Sequence, residues 1–396
     1  MGRPMSTHGP QVARLRGLAA SPTLALAAKA KALQQAGKPV LDLTAGEPDF
    51  PTPEDVKRAG IGAIQENRTR YTPVAGIPGL RAAISARLSR RLGTAYTPAQ
   101  VIVCCGAKHA LYNVFQALCE AGDEVVVFSP YWVSYPALVQ LAGAKPVVVR
   151  TQEEDQFQPD VRALTRALTN RTKAIILNSP SNPTGRLLDE RTLKALARVA
   201  LDRGVAIVSD EIYDELVFPP DVCRSILQVE PRLSAQTVVV NGVSKTYCMT
   251  GWRIGYAAGP EELVEAMITI QSHSTSNPTS ISQEAALAAL TGDRRELGLM
   301  VREFQRRRDR ILERLARMPA LSCVVPQGAF YVWCNVSRLR QPAETVASRW
   351  LNEAHVAVVP GEGFGSSAHV RLSFATSLDV LEDAMDRLTR WMGTKA

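Results

Sequence analysis

The sequence predicts an α/β fold, with a mostly parallel sheet of about seven strands in a large domain and a smaller α+β domain. The chain has 396 residues, enough for two domains, and 46% apolar with 21% charged residues is typical of a globular protein. Short runs rich in Val and Ile alternate with longer helical stretches. Several runs are continuously apolar, as strands buried on both faces are. This alternation indicates a parallel sheet covered by helices.

The strands and domains are expected in a definite order. The predicted strands are QVIVCC near 101–105, EVVVF near 124–128, KPVVVR near 146–150, KAIIL near 173–177, VAIVS near 205–209, TVVVN near 237–241 and IGYAA near 254–258. After about Leu297 the pattern changes to long charged helices with the runs GAFYVW and HVRLSFA. We therefore predict an N-terminal arm and helix at 1–45 that joins the small domain, a large domain at 46–296 and a small domain at 297–396.

Composition restricts the class of protein. Much of the net charge of +8 lies at 301–318, where apolar residues at helical spacing favour a solvated amphipathic helix over a nucleic-acid surface. The seven cysteines form no CxxC pair and are typical of reduced thiols in a cytoplasmic protein. The five histidines are scattered, so no metal site is expected, and no apolar run is long enough to span a bilayer.

Polar residues follow several predicted strands, at the edge where parallel sheets bind ligands. Lys245 follows one such strand, and a lysine in apolar surroundings can have a lowered pKa and act as a nucleophile. An ion-paired or solvated lysine is the alternative. Arg253 and Ser244 suit a phosphate, and the turn at Gly106 and Ala107 opens a helix whose N–H groups can bind an anion.

Asp210 ends another buried strand, where a carboxylate needs a cationic partner. That partner is either a side chain elsewhere in the chain or a protonated pyridine nitrogen. Tyr213 and Asn182 can hydrogen-bond a phenolic oxygen, and Trp132 can stack on a ring. A Schiff-base lysine, an aspartate for a ring nitrogen and a phosphate cup together indicate pyridoxal phosphate.

The sequence resembles the class I aminotransferases over most of its length, from about Ser21 to the C-terminus. The motif SKTYCMTGWRIGY is similar to the family's cofactor-lysine motif. Further similar motifs, in the family's order, are LTAGEPDFPTP, YTPVAGIPGLR, NSPSNPTG, SDEIYDE, VPQGAFY and VRLSFA. The runs GAKHALYN and SPYWVSYP resemble the bacterial aspartate aminotransferases most closely.

The resemblance implies a role for each matching residue. Lys245 would bind the cofactor covalently and then act as the base that moves the proton, and Asp210 would keep the ring nitrogen protonated. Arg371 would bind the substrate α-carboxylate in a bidentate pair. The other implied contacts are Tyr213 and Asn182 to the ring oxygen, Ser244, Arg253, Gly106, Ala107 and Lys108 to the phosphate, Tyr71 to the phosphate of the neighbouring subunit, and Gly46, Trp132, Asn182 and Lys108 to the substrate.

The chain departs from the animal-type enzymes at two places. Gly242 stands where that type has a phosphate-binding serine, and the segment SHSTSNPTSIS lacks the arginine that binds the distal carboxylate there. Lys108, which matches a lysine of the bacterial subgroup, is the candidate to replace that arginine. Bacterial relatives that also use prephenate carry a basic residue at the position of Ala19, two before the Ser21-Pro22-Thr23 motif, which predicts weak prephenate activity here.

The resulting prediction is a homodimeric aminotransferase that uses pyridoxal phosphate in a ping-pong reaction, with L-aspartate as donor and 2-oxoglutarate as acceptor. An aromatic, prephenate or broad-range transaminase is the nearest alternative, and a β-lyase would use the same lysine for another reaction. A regulator built on this fold would need a DNA-binding domain, for which the segment before LTAGEPDF is expected to be too short. Neither nucleic acid nor membrane is expected as a partner.

Overall fold

The structure, a computed structural model, describes residues 22–393. Residues 1–21 of the predicted N-terminal segment, including Ala19 and Ser21, lie outside the described residues. No helix between residues 22 and 393 is both long and apolar enough to cross a membrane.

The strands include one at each of the seven positions that the apolar runs predict. They are β1 Leu41–Asp42, β2 Val101–Cys104, β3 Glu124–Ser129, β4 Lys145–Arg150, β5 Thr172–Asn178, β6 Ala206–Asp210, β7 Thr237–Gly242, β8 Gly255–Ala258, β9 Ser322–Cys323, β10 Tyr331–Asn335, β11 Val356–Ala357, β12 Val359–Pro360 and β13 His369–Ser373. The seven strands β2 to β8 form one sheet in the order β2-β8-β7-β6-β5-β3-β4. Only β8 runs antiparallel to its neighbours, β2 and β7, so the predicted mostly parallel sheet is confirmed.

Helices connect and cover these strands. They are α1 Pro22–Gln35, α2 Glu54–Gln65, α3 Pro78–Leu92, α4 Ala107–Leu118, α5 Ser134–Leu141, α6 Val161–Ala167, α7 Glu190–Arg203, α8 Ile226–Val229, α9 Glu261–Ser272, α10 Ser280–Thr291, α11 Arg295–Ala316, α12 Ala343–Arg349 and α13 Leu378–Gly393. The four residues of β2 and the six of β7 are all buried, because helices lie on both faces of the sheet. Two apolar clusters fill the space between the sheet and these two helix layers.

A second sheet of four strands, in the order β12-β13-β10-β9, packs against α11 and α13. Its core also contains Ile212, Tyr213 and Phe218, which follow β6 of the large sheet. The two sheets are therefore held together beside the carboxyl end of β6. The predicted domain boundaries at 45 and 296 stay predictions, and α11 begins at Arg295, just before the second of them.

The interpretation of 301–318 as a solvated face is wrong for two of its arginines. Arg307 is 6% exposed and bonds Asp49 and Glu303, while Arg308 is 9% exposed and donates to the Pro326 carbonyl. Burial of these two guanidinium groups is balanced by the bonds that they form. Part of the basic run therefore joins α11 to neighbouring segments.

Candidate active site

A cavity of about 280 Å³ opens at the carboxyl ends of the parallel strands, between the two sheets. It is lined by all the residues that the sequence predicts for the site except Gly106 and Tyr71. The lining residues include Gly46, Ala107, Lys108, Trp132, Asn182, Asp210, Tyr213, Ser244, Lys245, Arg253 and Arg371. The edge of the sheet therefore collects side chains that are up to 325 positions apart in the sequence (371 − 46 = 325).

Lys245 follows β7 and is partly buried in this cavity. Its Nζ atom donates a short hydrogen bond to the carbonyl oxygen of Gly46 and lies 6.0 Å from the centre of the Phe330 ring. Desolvation, followed by the charges of Arg371 and Arg253, outweighs the attraction of Glu47 and lowers the pKa of Lys245 to about 8. At that pKa roughly a tenth of the amine is neutral at pH 7, far more than in an ordinary lysine, which suits an amine that acts as nucleophile and base.

Asp210 is the last residue of β6 and is 4% exposed. Its Oδ2 atom accepts a 2.6 Å hydrogen bond from the Tyr135 hydroxyl, and its Oδ1 atom accepts one of 3.3 Å from the Ile212 backbone N–H. Burial raises the pKa of Asp210 to about 6, although both hydrogen bonds oppose that rise. No Arg, Lys or His of the described residues forms an ion pair with this carboxylate, so a protonated ring nitrogen remains the partner that its position suits.

Arg371, on β13, is 2% exposed. Its Nη1 atom donates to Asn182 Oδ1 at 3.0 Å, its Nη2 atom donates to the Thr44 carbonyl at 2.9 Å, and its Nε atom has no hydrogen-bond partner within residues 22–393. No carboxylate in the described part of the chain pairs with it. Its guanidinium lies 4.3 Å from the centre of the Tyr331 ring. A buried cation without an acid beside it is suited to bind a carboxylate.

An anion site lies at the start of α4, whose first N–H groups have no acceptor within the helix. Gly106 precedes the helix at a φ of 90°, and a Cβ atom there would lie 2.4 Å from Arg253 Nη2. At Gly255 a Cβ atom would lie 2.2 Å from the Ala107 nitrogen. The two glycines thus allow the Arg253 guanidinium to reach the helix N-terminus. Buried Ser244 lies in the same cavity and adds a hydroxyl to this cradle.

Tyr213 and Asn182 lie on the side of the cavity that faces β10 and β13. The Tyr213 hydroxyl lies 2.9 Å from the hydroxyl of Tyr331, and both side chains are buried. Asn182 lies in the loop that follows β5 rather than at a strand end, because β5 ends at Asn178. The Asn178 side chain accepts the Asn182 backbone N–H at 2.9 Å and thereby holds this loop over the cavity.

Lys108 and Trp132 form one wall of the cavity. The Lys108 Nζ atom lies 5.0 Å from the centre of the Trp132 ring, a cation–π contact. Lys108 is exposed in the first turn of α4, so its ammonium group is free to approach a negative charge in the cavity.

Tyr71 does not line the cavity, and its side chain is 92% exposed in the single chain. Its hydroxyl is accessible to another molecule, and the contact across a dimer stays a prediction.

Sequence reasoning missed Tyr135 and Tyr331, which hold Asp210 and Tyr213 by their hydroxyl groups. Both lie inside motifs that the resemblance includes, SPYWVSYP and VPQGAFY. A signal for Tyr135 was its spacing of three residues from Trp132, which places both side chains near the start of one helix. Tyr331 pairs with Tyr213 only through contact of the two sheets, which no local pattern encodes.

The acidic residues of SDEIYDE separate into two groups. Glu211 and Asp214 both pair with Arg91 of α3, and Glu215 pairs with Arg87 of the same helix. These carboxylates face away from the cavity and fix the segment after β6 to α3. Asp210 is therefore the acid of this motif that faces the site.

The site combines an amine at a strand end, a buried carboxylate and a positively charged anion-binding site at the edge of this sheet. This combination defines the class of pyridoxal-phosphate enzymes of fold type I. These groups fit the cofactor. The amine suits its aldehyde, the carboxylate suits its ring nitrogen, and the anion-binding site suits its phosphate. The fit includes the cradle at Gly106, which only a glycine leaves open.

Comparison with known proteins gives the family. The family described as "Aminotransferase class I and II" matches residues 38–388 of the chain. The chain is 50% identical to the aspartate aminotransferase of Geobacillus stearothermophilus over 97% of its own length and 99% of that protein. It is 46% identical to the aspartate/prephenate aminotransferase of Thermus thermophilus, covering 96% of this chain and 98% of the relative.

Solved structures agree with these relatives. Aspartate aminotransferase from Thermus thermophilus with maleate superposes with a TM-score of 0.93 at 45% identity, covering 96% of this chain and 99% of that one. Aspartate aminotransferase from Thermotoga maritima gives 0.92 at 42% identity, covering 97% of this chain and 100% of that one. The chain belongs to the class I and II aminotransferase family, whose aspartate aminotransferases are enzymes dependent on pyridoxal phosphate.

Proposed function

We propose that the protein is an aspartate aminotransferase that moves the amino group of L-aspartate to 2-oxoglutarate in a ping-pong reaction. The observation that carries the proposal is the buried Arg371 guanidinium, which lacks an acidic partner among residues 22–393 and opens to the same cavity as Lys245. A 2-amino acid bound by its α-carboxylate at Arg371 would place its amino group and α-hydrogen within that cavity. Relatives named aspartate aminotransferase support the choice of donor.

Pyridoxal phosphate supplies an aldehyde that accepts the amino group and an electron-poor ring that withdraws electrons from the reacting carbon. Lys245 would bind the cofactor covalently. Once it is released, its neutral amine would take the α-proton of the substrate and deliver that proton again to complete the transfer. Its pKa of about 8 leaves roughly a tenth of the amine neutral at pH 7, and the neutral form dominates above pH 8. Asp210 would hold a proton on the ring nitrogen, and Tyr213 and Asn182 would contact the ring oxygen.

The anion-binding groups orient both reactants. Ser244, Arg253 and the turn from Gly106 to Lys108 would hold the cofactor phosphate at the N-terminus of α4. Arg371 would hold the α-carboxylate, with Gly46 and Trp132 beside it. Fixed anchors at both ends would limit the movement of the reacting atoms relative to Lys245, which lowers the entropy cost of reaction.

The proposal includes a homodimer with twofold symmetry in which Tyr71 reaches the phosphate of the neighbouring subunit. The 92% exposure of Tyr71 and the exposed apolar side chains of Ile61 and Ile64 on α2 support contact with another molecule. Division into segments 1–45, 46–296 and 297–396 belongs to the same proposal. The seven cysteines are all free, which supports a cytoplasmic location.

Prephenate is the second substrate to consider, because a relative at 46% identity is named aspartate/prephenate aminotransferase. The test is a panel of L-aspartate, L-glutamate, L-phenylalanine and L-alanine as donors, with 2-oxoglutarate, oxaloacetate and prephenate as acceptors. An aspartate aminotransferase forms one glutamate for each oxaloacetate from aspartate and 2-oxoglutarate, whereas a β-lyase consumes its substrate without forming glutamate. Failure of aspartate to donate its amino group would refute the proposal, and prephenate turnover equal to that of oxaloacetate would favour the broader enzyme.

A further inference from the structure

The side chain of Tyr135 forms the shortest hydrogen bond of the Asp210 carboxylate. Its hydroxyl donates to Oδ2 at 2.6 Å, compared with 3.3 Å for the Ile212 N–H that donates to Oδ1. Tyr135 is 2% exposed, so water does not compete for this contact.

The Tyr135 ring has little freedom to leave that position. It lies in the first turn of α5, packs in an apolar cluster with Leu138 and Val208, and meets the Trp132 ring edge to face at 5.3 Å. Because the ring is fixed on several sides, the hydroxyl holds one Asp210 oxygen and restricts rotation of the carboxylate. Tyr135, Asp210 and Lys245 all line the cavity.

The surroundings of Asp210 favour its neutral and its ionised form by opposing effects. Burial and the neighbouring Glu211 favour the neutral acid, whereas the Tyr135 and Ile212 hydrogen bonds and the Lys245 charge favour the carboxylate. The pKa of Tyr135 itself is raised well above its usual value by burial and by Asp210, so the hydroxyl keeps its proton and acts only as a donor towards this carboxylate. Tyr213 is the other phenol nearby, and its hydroxyl is engaged with Tyr331.

We propose that Tyr135 is a positioning residue that keeps the proton shared by Asp210 and the cofactor ring nitrogen on the nitrogen. The inference rests on the proposed function, in which Asp210 faces that nitrogen. An O–H donor stabilises the ionised form of its acceptor more than the neutral form. Loss of the donor therefore moves the shared proton towards Asp210 and leaves the ring a weaker acceptor of electrons.

The experiment measures the position of the proton, not turnover. Holoenzyme is prepared with pyridoxal phosphate labelled with ¹⁵N in the ring, and the ¹⁵N chemical shift is recorded for wild type and for Tyr135→Phe. The wild-type shift should be that of a protonated ring nitrogen, and Tyr135→Phe should move it towards the unprotonated value. Tyr96→Phe is the matched control, because the buried Tyr96 hydroxyl has no hydrogen-bond partner within residues 22–393; its shift should equal that of wild type.

A second variant covers the case in which Tyr135→Phe does not fold. A fluorinated tyrosine placed at position 135 is a stronger donor of nearly the same size, and it should leave the nitrogen at least as fully protonated as in wild type. An unchanged shift in Tyr135→Phe, or equal changes in Tyr135→Phe and Tyr96→Phe, would overturn the inference. Asp210→Asn separates the two proposals: if it also leaves the shift unchanged, the role of Asp210 fails, and if it changes the shift while Tyr135→Phe does not, only the role of Tyr135 fails.

Discussion

Arg371 and Asn182 are joined by a hydrogen bond of 3.0 Å between Nη1 and Oδ1. This contact connects β13 of the small sheet to the loop after β5 of the large sheet. The Arg371 guanidinium also lies 4.3 Å from the centre of the Tyr331 ring, and the Tyr331 hydroxyl lies 2.9 Å from that of Tyr213. The proposed carboxylate site and the proposed ring-oxygen contacts therefore form one bonded network, so a change at either is expected to affect the other.

Removal of the Lys245 amine should abolish both covalent attachment and proton transfer. For Lys245→Ala we expect transaminase turnover to fall by about a thousandfold or more, because two chemical roles are lost together. Borohydride reduction followed by mass spectrometry should find the cofactor attached to wild type and absent from the variant. Lys194→Ala, on the exposed side of α7, should behave as wild type. Substantial remaining turnover would mean that another amine performs the reaction.

The lowered pKa of Lys245 makes its reactivity depend on pH. Below a pKa of about 8 the ammonium form dominates and only the neutral amine reacts, so reactivity should rise about tenfold per pH unit up to pH 8 and then level off. Competitive acetylation of the cofactor-free protein between pH 6 and 10, read by mass spectrometry, gives this profile for every lysine at once. A Lys245 profile that still rises steeply between pH 9 and 10 would contradict the lowered pKa.

Local sequence patterns predicted the strands of the central sheet well, but not which side chains contact one another around it. Apolar runs such as TVVVN locate β7, because a strand buried on both faces needs a continuous run. The motif SDEIYDE predicted Asp210 as a site residue, but its spacing does not distinguish that residue from Asp214, which pairs with Arg91. The separation depends on which side of the segment faces α3, and that is a tertiary contact.

Local sequence patterns could not predict the burial of Arg307 or the pairing of Tyr331 with Tyr213, because both depend on tertiary contacts. A charged residue in a basic run is usually solvated, and only the acceptors Asp49 and Glu303 make burial of Arg307 favourable. Glu303 lies one turn away on the same helix, but Asp49 lies 258 positions away, and that contact is tertiary.

Replacement of Asp210 by Asn should leave the cofactor bound and slow the chemical step. The phosphate cradle and Lys245 are unchanged, but a neutral amide cannot keep the ring nitrogen protonated. In single-turnover experiments with L-aspartate that carries deuterium at its α-carbon, removal of the deuterium should slow sharply. The cofactor content should stay near that of wild type. Asp202→Asn, exposed on α7, is the control. A single-turnover rate equal to that of wild type would refute the role of Asp210.

Arg371→Lys tests the α-carboxylate site with the charge retained. A lysine cannot reproduce the planar contacts to Asn182 and the Thr44 carbonyl, nor a bidentate pair with a carboxylate. One lost hydrogen bond to a charged group, about 1.5–3 kcal/mol, lowers kcat/KM for L-aspartate by roughly ten- to 150-fold. Arg198→Lys on α7 serves as control. The idea fails if Arg371→Lys leaves kcat/KM for L-aspartate equal to that of wild type.

Lys108 is the proposed contact for the distal carboxylate of aspartate and glutamate. Its Nζ atom lies 5.0 Å from the Trp132 ring centre at the exposed mouth of the cavity, so a second carboxylate can approach it without displacing a protein partner. A hydrogen bond to a charged group contributes about 1.5–3 kcal/mol, and roughly 1.4 kcal/mol corresponds to tenfold. Lys108→Ala should therefore lower kcat/KM for aspartate and glutamate by about ten- to 150-fold.

Phenylalanine and alanine lack that distal carboxylate and provide the internal control for Lys108→Ala. Their kcat/KM values should fall much less, because the proposed α-carboxylate contact to Arg371 remains. Fluorescence titration of the cofactor-free variant with pyridoxal phosphate adds a separate measure, since Lys108 also lies beside the phosphate cradle at Gly106 and Arg253. Equal losses for all four amino acids together with weaker cofactor binding would assign Lys108 to the phosphate, and the distal carboxylate would then have to be bound elsewhere, with the segment 272–282 as the next candidate.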